Sequence, residues 1–439
     1  MSHAVNIVIP FDYSQRFAFD SCIDNPPVRL FARMAIGSWI LTVAVLALAG
    51  LHPSPWLSDN AALVLSPSRQ GRLDSHRQAL STTSTSSPVR GCQDPKTVAT
   101  EPRENAAITL LVREQDLADL LPTLDNFERR FNRQFRYPYV FLTAPVDPPF
   151  STTFREKVVA RLPKGAIVEW ATVEARYWRI PEMMDVVQVK NGFEQQEKDG
   201  VQYAGREGYH HMCRYFSGLW IRTAALQKYD WYWRLEPGVR FYCTISYDPF
   251  RFMALNHKIY GFVITIVENM NTIPTLFDSI LQLVKKRGLV PGARLWQFLL
   301  KKGDPGAYSG CHFWTNFEIG DLRFFRSEPY QTVFDELDQA GGFFSERASN
   351  CSATFASHEV DRIHYFEDFA YQHDWFMHCP QEKGLGCDCQ CPAYSKNPLP
   401  KNELTDVDHD WRFSCLDRWK QAVGTSASTF TPPPSSAHG

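Results

Sequence analysis

Residues 229–243 read YDWYWRLEPGVRFYC and place charged residues inside an aromatic run. Pro237 and Gly238 are a strong turn signal, so Glu236 sits at the end of the strand that precedes them. In open α/β sheets, ligands bind at the carboxyl ends of strands. Most glutamates at strand ends only face solvent, however. The stretch therefore predicts a strand and leaves open whether Glu236 holds a ligand or is the polar edge of a core strand.

Strands and helices alternate on both sides of this stretch. The predicted strands are Ile108–Val112, Tyr137–Leu142, a weaker one at Ala166–Val168, and the continuous run Tyr260–Val267. The predicted helices are one with apolar residues from Leu120 to Phe131, kinked or restarted at Pro122, and one at Thr275–Arg287, ended by Gly288. This alternation indicates an α/β layered domain with a partly parallel sheet.

Length and charge limit the classes of function. The chain has 439 residues, enough for one large domain or two modest ones, and a formal net charge of -2. Nothing in this balance favours nucleic-acid binding. Aromatic residues make up 14% of the chain, which indicates either a large aromatic core or a cleft for a sugar or nucleotide.

An uncharged apolar segment, Met34–Leu51, is just long enough to cross a bilayer as a helix. Arg29 and Arg33 precede it and no Lys or Arg follows before Arg69, which predicts a cytosolic N-terminus and a lumenal remainder. A cleaved signal peptide is the alternative, but a 33-residue leader is too long for one. We expect a cytosolic tail (1–33), an anchor (34–51), a Ser/Thr/Pro-rich stem (52–104), a catalytic domain (105–423) and a disordered tail (424–439).

Three polar positions stand out in the predicted lumenal domain. Besides Glu236, they are Glu318, between Phe317 and Ile319, and His373. Buried unpaired carboxylates are rare, so the pattern alone favours a strand with Glu318 facing outward. A lone histidine is more often a surface residue than a metal ligand. None of these positions by itself identifies an activity.

Several longer motifs identify a family together. Between about residues 105 and 419 the chain resembles the fungal Golgi α-1,2-mannosyltransferases of glycosyltransferase family 15. The motifs, in the family's order and close to its spacing, are RRFNRQFRYPYVFL, GYHHMCRYFSG, YDWYWRLEPGVRFYC, YDPFRFM, HFWTNFEIGDLRFFRSEPYQ, LDQAGGFF and YQH. The resemblance implies a GT-A-like nucleotide-sugar transferase fold with a mixed central sheet, behind a single transmembrane anchor helix.

The resemblance also implies an activity and a set of site residues. Such enzymes transfer mannose from GDP-mannose to the 2-hydroxyl of a mannose on a glycan, with retention of configuration and with Mn²⁺ as cofactor. Glu236 and His373 match the family's metal ligands, Glu318 the carboxylate proposed to act at the sugar, and Tyr209 an active-site tyrosine. Arg234 matches an arginine that would offset phosphate charge; a salt bridge to a neighbouring carboxylate is the alternative. The implied location is the Golgi membrane, as a single-pass type II protein with a lumenal catalytic domain.

One segment departs from the family pattern. After Gly-Gly-Phe-Phe the family reads YERWGDAPVHS, whereas residues 345–353 read SERASNCSA here. Glu346 and Arg347 are kept and the rest is lost. The alternative function is therefore an impaired relative that binds nucleotide sugar or glycan without turnover. The change also creates Asn350-Cys351-Ser352, a glycosylation acceptor sequence.

The cysteines fit an oxidising compartment. There are eleven, and placing Cys22 in the cytosolic tail leaves ten lumenal ones. Cys387, Cys389 and Cys391 form a tight run that, in a Golgi lumen, indicates disulfides rather than zinc. An even number allows full pairing, but the connectivity does not follow from the sequence.

Overall fold

A computed structural model describes residues 89–287, 293–346, 358–393, 404–410 and 412–424. The predicted anchor at 34–51, the tail at 425–439 and the altered positions 347–357 lie outside the described residues. Among the helices that are described, none is long and apolar enough to cross a membrane.

The central element is a seven-stranded mixed sheet in the order β12-β6-β11-β4-β1-β2-β3. Its strands are β1 (Ala106–Leu111), β2 (Tyr139–Thr143), β3 (Val168–Thr172), β4 (Trp231–Arg234), β6 (Tyr260–Phe262), β11 (Glu318–Asp321) and β12 (Ile363–Tyr365). Strand β1 is parallel to β2 and β4, β2 to β3, and β12 to β6. Strand β11 is antiparallel to both β4 and β6, so the predicted α/β class with a mixed sheet is confirmed.

A smaller sheet has four strands in the order β15-β14-β13-β5. It consists of β5 (Arg240–Phe241), β13 (Tyr371–His373), β14 (Phe376–His378) and β15 (Thr405–Asp406). Its strand β5 is the next strand along the chain after β4. Two further strand pairs join β7 (Thr265–Val267) to β10 (Cys311–Phe313) and β8 (Leu300–Lys301) to β9 (Asp304–Tyr308). The Glu-Pro-Gly turn links β4 to β5 and hence the large sheet to the small one.

Helices cover the sheet on both faces. They are α1 (Pro95–Thr100), α2 (Leu117–Phe127), α3 (Arg133–Phe135), α4 (Thr152–Val159), α5 (Val186–Lys198), α6 (Glu207–Arg214), α7 (Pro249–Leu255), α8 (Leu276–Arg287), α9 (Ala293–Leu299), α10 (Leu322–Phe325), α11 (Glu328–Gln339), α12 (Gly342–Ser345) and α13 (Leu416–Gly424). Side chains of β4 alternate between two core clusters, with Trp231 and Trp233 in one and Tyr232 in the other. Apolar residues on both faces explain why this strand is buried throughout.

The structure corrects two of the predicted strands. The run Tyr260–Val267 is not one strand: β6 ends at Phe262, β7 begins at Thr265, and the two belong to different sheets. Every residue from 260 to 265 is buried, so the apolar pattern carries no sign of the break. The weak strand predicted at Ala166–Val168 begins only at Val168 and continues to Thr172.

The predicted helices are confirmed. Helix α8 covers Leu276–Arg287, although the terminating Gly288 lies outside the described residues. Helix α2 contains Pro122 in its interior, so the predicted restart at this proline does not occur, and it continues into a π turn at Glu128–Asn132. Leu120, Leu124 and Phe127 of this helix are buried, as its apolar spacing predicts.

Four disulfides fasten the described part of the chain: Cys92–Cys387, Cys243–Cys389, Cys311–Cys415 and Cys379–Cys391. Cys213 is a buried thiol on α6, and Cys351 lies outside the described residues. Cys92, Cys387 and Asp388 lie close together, but the disulfide between the two cysteines removes them as metal ligands. The cysteine-rich run is therefore a disulfide framework, as predicted.

Residues 89–104, predicted as part of the stem, pack against the domain. The Cys92–Cys387 disulfide ties this segment to the cysteine-rich region, and Val98 of α1 is buried in a core cluster. Polar contacts add to this attachment, among them the ion pairs of Arg90 with Glu382 and of Glu104 with Arg251. Because a disulfide and polar contacts hold most of the segment, it shows no apolar periodicity.

Candidate active site

The end of β4 carries the first two residues of the site. Arg234 is the last residue of β4, shares the strand face of Tyr232, and is almost fully buried. The chain then turns at Pro237-Gly238, where Gly238 takes a left-handed φ of 88° that a residue with a Cβ rarely adopts. Glu236 therefore follows the strand end directly, and its carboxylate Oε1 accepts a hydrogen bond from Nη2 of Arg234.

Strand β11 brings Glu318 to the same place. Glu318 is the first residue of β11 and pairs with Arg234 across the antiparallel ladder, with its Oε1 3.9 Å from Nη1 of Arg234. Only 2% of the residue is exposed. The expectation that Glu318 faces outward is therefore wrong: a buried cation from another strand compensates its charge, which the local pattern does not reveal.

Two tyrosines complete the surroundings of Glu318. Tyr260 donates a hydrogen bond to Oε2 of Glu318 at 3.3 Å, and Tyr232 faces the same carboxylate from β4. Gly320 pairs with Tyr232 across the ladder, and a Cβ at position 320 would come within 2.6 Å of the Tyr232 ring. Glycine at that position lets the ring lie flat against β11.

Burial and neighbouring charges have opposing effects on Glu318. Burial raises the pKa of Glu318 to about 7, although Arg234 and the two tyrosine hydroxyls favour the ionised form. A carboxyl group that titrates near neutrality in a buried site is a functional candidate on physical grounds.

Strand β13 supplies His373 from the small sheet. This strand pairs with β5 on one side and β14 on the other, and Nε2 of His373 lies 3.5 Å from Oε2 of Glu236. The side chains of both residues are 22% exposed. The structure thus brings together the glutamate and the histidine that the sequence analysis assigned to a metal, and it makes His373 part of a cluster rather than an isolated surface residue.

The carboxylate of this pair suits metal ligation, whereas the imidazole must release a proton to bind a metal. Burial would raise the pKa of Glu236, but Arg234 and His373 together lower it to about 2. Burial would likewise lower the pKa of His373, but Glu236 raises it above its ordinary value. The carboxylate is therefore ionised across the physiological range, and a proton competes with a metal for His373.

The donor set fits a divalent metal such as Mn²⁺. One carboxylate oxygen and one imidazole nitrogen, 3.5 Å apart, are close enough for one ion to contact both. Both side chains are partly open to solvent, so diphosphate oxygens and water can complete the coordination shell. Trp314 packs edge-on against the His373 ring at 5.1 Å and restricts its orientation.

Arg234 is held by more than its two carboxylates. Its guanidinium lies over the ring of Phe216, 3.8 Å from the ring centre. The structure thus contains the salt bridge that the sequence analysis gave as the alternative for Arg234. A role toward phosphate stays a prediction.

Tyr209 is the remaining predicted site residue. It lies on α6, is half-buried, and its ring centre is 5.3 Å from that of Tyr203. It packs against the core cluster that also contains Tyr232 and Tyr260. Its part in the chemistry stays a prediction, as do the roles of the other four residues.

Sequence reasoning missed the residues that support the polar groups. Tyr232 and Tyr260 face Glu318, Phe216 lies under Arg234, and Trp314 packs on His373. Each lies inside an apolar or aromatic run, where nothing in the local pattern separates a supporting residue from an ordinary core residue. The one available signal is that Tyr232, Phe216 and Trp314 belong to motifs that carry the family resemblance.

Glu346 lies at the start of the altered segment and is buried and hydrogen-bonded. Glu346 is 3% exposed, and its Oε1 accepts hydrogen bonds from the backbone N–H of Thr275, at 3.0 Å, and from the Thr275 hydroxyl. Thr275 immediately precedes α8, so Glu346 fastens the end of α12 to the start of that helix. Glu346 therefore has a structural role at the start of the altered segment.

Comparison with known proteins places these residues in context. A family model described as glycolipid 2-alpha-mannosyltransferase matches residues 68–423, beginning inside the predicted stem. The O-glycoside alpha-1,2-mannosyltransferase homolog 5 of Schizosaccharomyces pombe is 35% identical over 369 residues, which are 76% of this chain and 82% of that relative.

Two solved structures are similar throughout the described domain. Core-mannan synthase A (CmsA/Ktr4) from Aspergillus fumigatus, in its Mn/GDP form, gives a TM-score of 0.66 at 29% identity and covers 79% of this chain and 94% of that chain. The mannosyltransferase Ktr4p from S. cerevisiae in complex with GDP gives a TM-score of 0.64 at 30% identity and covers 87% of this chain and 96% of that chain.

Proposed function

The chain belongs to the glycolipid 2-alpha-mannosyltransferase family, and from this premise we propose that it transfers mannose from GDP-mannose to the 2-hydroxyl of a terminal mannose on a glycoprotein glycan. Family membership confirms the prediction made from the motifs. The observation that carries the proposal is the convergence of Glu236, His373, Arg234 and Glu318 where β4, β11 and β13 meet.

The donor site lies at the carboxyl ends of the parallel strands. Strands β4, β1, β2 and β3 are the nucleotide-binding half of a GT-A-like fold, since ligands of open α/β sheets bind beyond the carboxyl ends of their strands. The similarity to one structure in a Mn/GDP form and another with GDP supports a guanosine diphosphate leaving group.

Glu236 and His373 would hold Mn²⁺ through the carboxylate oxygen and imidazole nitrogen that lie 3.5 Å apart. When bound, the ion would supply positive charge that stabilises the diphosphate leaving group. Arg234 keeps Glu236 ionised and in position through the hydrogen bond between them, and Trp314 restricts the His373 ring.

Glu318 acts at the sugar. In the transfer, the bond from the anomeric carbon to the diphosphate oxygen breaks, a bond to the acceptor oxygen forms, and the acceptor proton passes to the departing diphosphate. Donor and product are both α-linked, and retention by double displacement needs a carboxylate opposite the leaving group. In same-face substitution, the same carboxylate would stabilise the positive charge that develops at the anomeric carbon. Tyr209 contributes to the same cleft.

The cellular setting follows from the sequence and the disulfides. We place the protein in the Golgi membrane as a single-pass type II protein, with an anchor at 34–51, a stem from 52 and a lumenal catalytic domain at 105–423. Four disulfides support a lumenal location, because such bonds persist in oxidising compartments.

A transfer assay tests the proposal. The full chain, produced through an oxidising secretory pathway, is incubated with GDP-mannose, Mn²⁺ and methyl α-mannoside. We expect a disaccharide product that is lost with EDTA and in Glu236→Ala. Product that persists under both conditions would contradict the assigned metal site.

The second candidate is a relative that binds without turnover, favoured by the loss of the family pattern at residues 348–353. Its signature in the same assay is Mn²⁺-dependent GDP binding with no disaccharide. Glu346, the residue that fastens this segment to Thr275, is retained, which favours the active enzyme.

A further inference from the structure

Trp375 is unusual among the aromatic residues of the described ranges. It is the one aromatic side chain among their exposed large hydrophobic residues, with 45% of its surface exposed. The remaining described tryptophans are buried or half-buried in the core clusters. An indole left in water forgoes a large hydrophobic gain, which makes its position informative.

That position is close in the chain to a proposed metal ligand. Asp374 and Trp375 form the two-residue turn between β13 and β14, so the indole lies two residues from His373. Nε2 of His373 in turn lies 3.5 Å from Glu236.

The backbone beneath the indole is firmly held. Asp374 adopts a left-handed φ of 49°, and its carbonyl accepts a hydrogen bond of 2.7 Å from the Gln372 side chain. The Trp375 carbonyl accepts one of 2.7 Å from the backbone N–H of Thr405 at the start of β15. A preorganised turn loses little backbone conformational entropy when its side chain binds a ligand.

The ligand that fits this place is a sugar. An indole presents a wide apolar face with negative charge density, and a pyranose ring presents a face of weakly positive C–H groups. The turn belongs to the small sheet, not to the parallel strands where the nucleotide is proposed to bind. Because the nucleotide is assigned to the large sheet, a ring that stacks on this turn is assigned to the acceptor.

We propose that Trp375 is a stacking platform for a pyranose ring of the mannose-terminated acceptor, and that it determines acceptor affinity rather than donor affinity. This inference rests on the proposed function and identifies one of its binding residues.

Direct binding of a mannoside tests the platform without relying on turnover. The full chain with Mn²⁺ and GDP is titrated with α-1,2-mannobiose by calorimetry or saturation-transfer NMR. We expect Trp375→Leu to weaken mannobiose binding about five- to tenfold, as expected for loss of one aromatic stacking contact. Trp375→Phe keeps a ring and should retain most of the affinity, and GDP affinity should be unchanged in both variants.

Met183→Ala is the matched control. Met183 is an apolar residue with 66% of its surface exposed, and it is distant in sequence from this turn. It should leave both affinities unchanged. The proposal is overturned if Trp375→Leu binds mannobiose as tightly as the wild type, if GDP binding falls in parallel, or if the wild-type protein does not bind mannobiose.

The same proteins separate this inference from the proposed function. Disaccharide formation with an unchanged acceptor KM in Trp375→Leu would refute the platform and leave the transferase in place. Mannobiose binding that depends on Trp375, with no transfer by the wild type, would refute the transferase and leave the platform in place.

Discussion

Arg234 and Glu318 face each other across the antiparallel pair of β4 and β11, with Nη1 of the guanidinium 3.9 Å from Oε1 of the carboxylate. The same guanidinium donates a hydrogen bond to Glu236. One buried cation therefore links the carboxylate proposed to hold the metal with the carboxylate proposed to act at the sugar. The protonation of Glu318 and the charge at the metal site are coupled through Arg234.

Replacing Glu318 by glutamine should abolish most of the activity and preserve the fold. Glutamine keeps the shape and can still accept from Tyr260, but it offers no negative charge to the anomeric carbon. We expect kcat to fall by about 10²- to 10³-fold, the usual cost of losing one electrostatic group in a catalytic site. Steady-state kinetics measures the loss, and the melting temperature checks the fold.

Glu128 provides a matched control for that substitution. It is also a buried glutamate hydrogen-bonded to a tyrosine, Tyr139, but it lies in the π turn after α2, outside the candidate site. Glu128→Gln should leave kcat within about twofold of wild type, as for a residue without transition-state contacts. Equal losses in both variants would show that the effect is structural and remove Glu318 from the mechanism.

The pH dependence should report the ionisation of Glu318. The pKa of this group is about 7, and the mechanism needs its ionised form. The acidic limb of kcat/KM should therefore have its midpoint near pH 7, with activity rising as the pH increases.

Arg234 lowers the pKa of Glu318, so removing the cation should shift this limb. We expect the midpoint to move to higher pH in Arg234→Gln, measured at saturating Mn²⁺ so that weaker metal binding does not contribute. A midpoint that stays in place or moves to lower pH would mean that the limb belongs to another group.

The Cys243–Cys389 disulfide should matter for metal binding. Cys243 follows β5, and β5 pairs with β13, the strand that carries His373. Replacing both cysteines with serine should cost about 2–5 kcal/mol of unfolding free energy and weaken Mn²⁺-dependent GDP binding. Thermal unfolding and calorimetry give the two quantities.

The Cys311–Cys415 bond serves for comparison, since it joins β10 to the start of α13 and not to the small sheet. Its double serine variant should be destabilised to a similar degree with GDP affinity unchanged. If both variants lose GDP affinity equally, the loss follows from general loosening and not from the position of His373.

Glu346 should make stability depend on pH. Burial raises the pKa of Glu346 to about 7 from an ordinary value of 4.5, despite hydrogen bonds from Thr275 that favour the ionised form. A raised carboxyl pKa gives stability that is complete below about 4.5 and is lost as the pH rises through about 7. Wild type should therefore lose up to about 3 kcal/mol relative to Glu346→Gln across that interval.

Denaturant unfolding of the two proteins at several pH values measures this difference. Glutamine keeps the oxygen that accepts from Thr275 but does not titrate, so its curve isolates the contribution of the carboxyl group. If the difference in unfolding free energy between wild type and Glu346→Gln does not change between pH 4.5 and 7, Glu346 is ionised at no cost in the folded protein.

The sequence predicts the framework of this protein well and its site only in part. The alternation around residues 229–243 predicts an α/β domain, and the Pro-Gly signal predicts a strand end at Glu236, two residues past the observed end of β4 at Arg234. Burial of Glu318 could not be predicted, because its counter-charge, Arg234, comes from a strand distant in sequence. The break between β6 and β7 is hidden for a different reason: Val263 and Ile264 are as buried as the strands beside them.

The disulfides illustrate a further limit. The number and spacing of the cysteines indicate a disulfide framework, but ten cysteines permit many connectivities and chain order does not choose among them. The pairing of β5 with β13 and the β-bridge between Thr244 and Cys387 bring Cys243 near the cysteine-rich run. Trp375 is a similar case, since its exposure depends on a turn that the histidine motif alone does not predict.

Product analysis tests the central claim most directly. The full chain is supplied with GDP-mannose, methyl α-mannoside and Mn²⁺, and the linkage and anomeric configuration of the product are determined by NMR. The account predicts an α-1,2-linked dimannoside that requires Mn²⁺ and is lost in both Glu236→Ala and His373→Ala. A β-linked product, a bond to another hydroxyl, or full activity in either variant would contradict it.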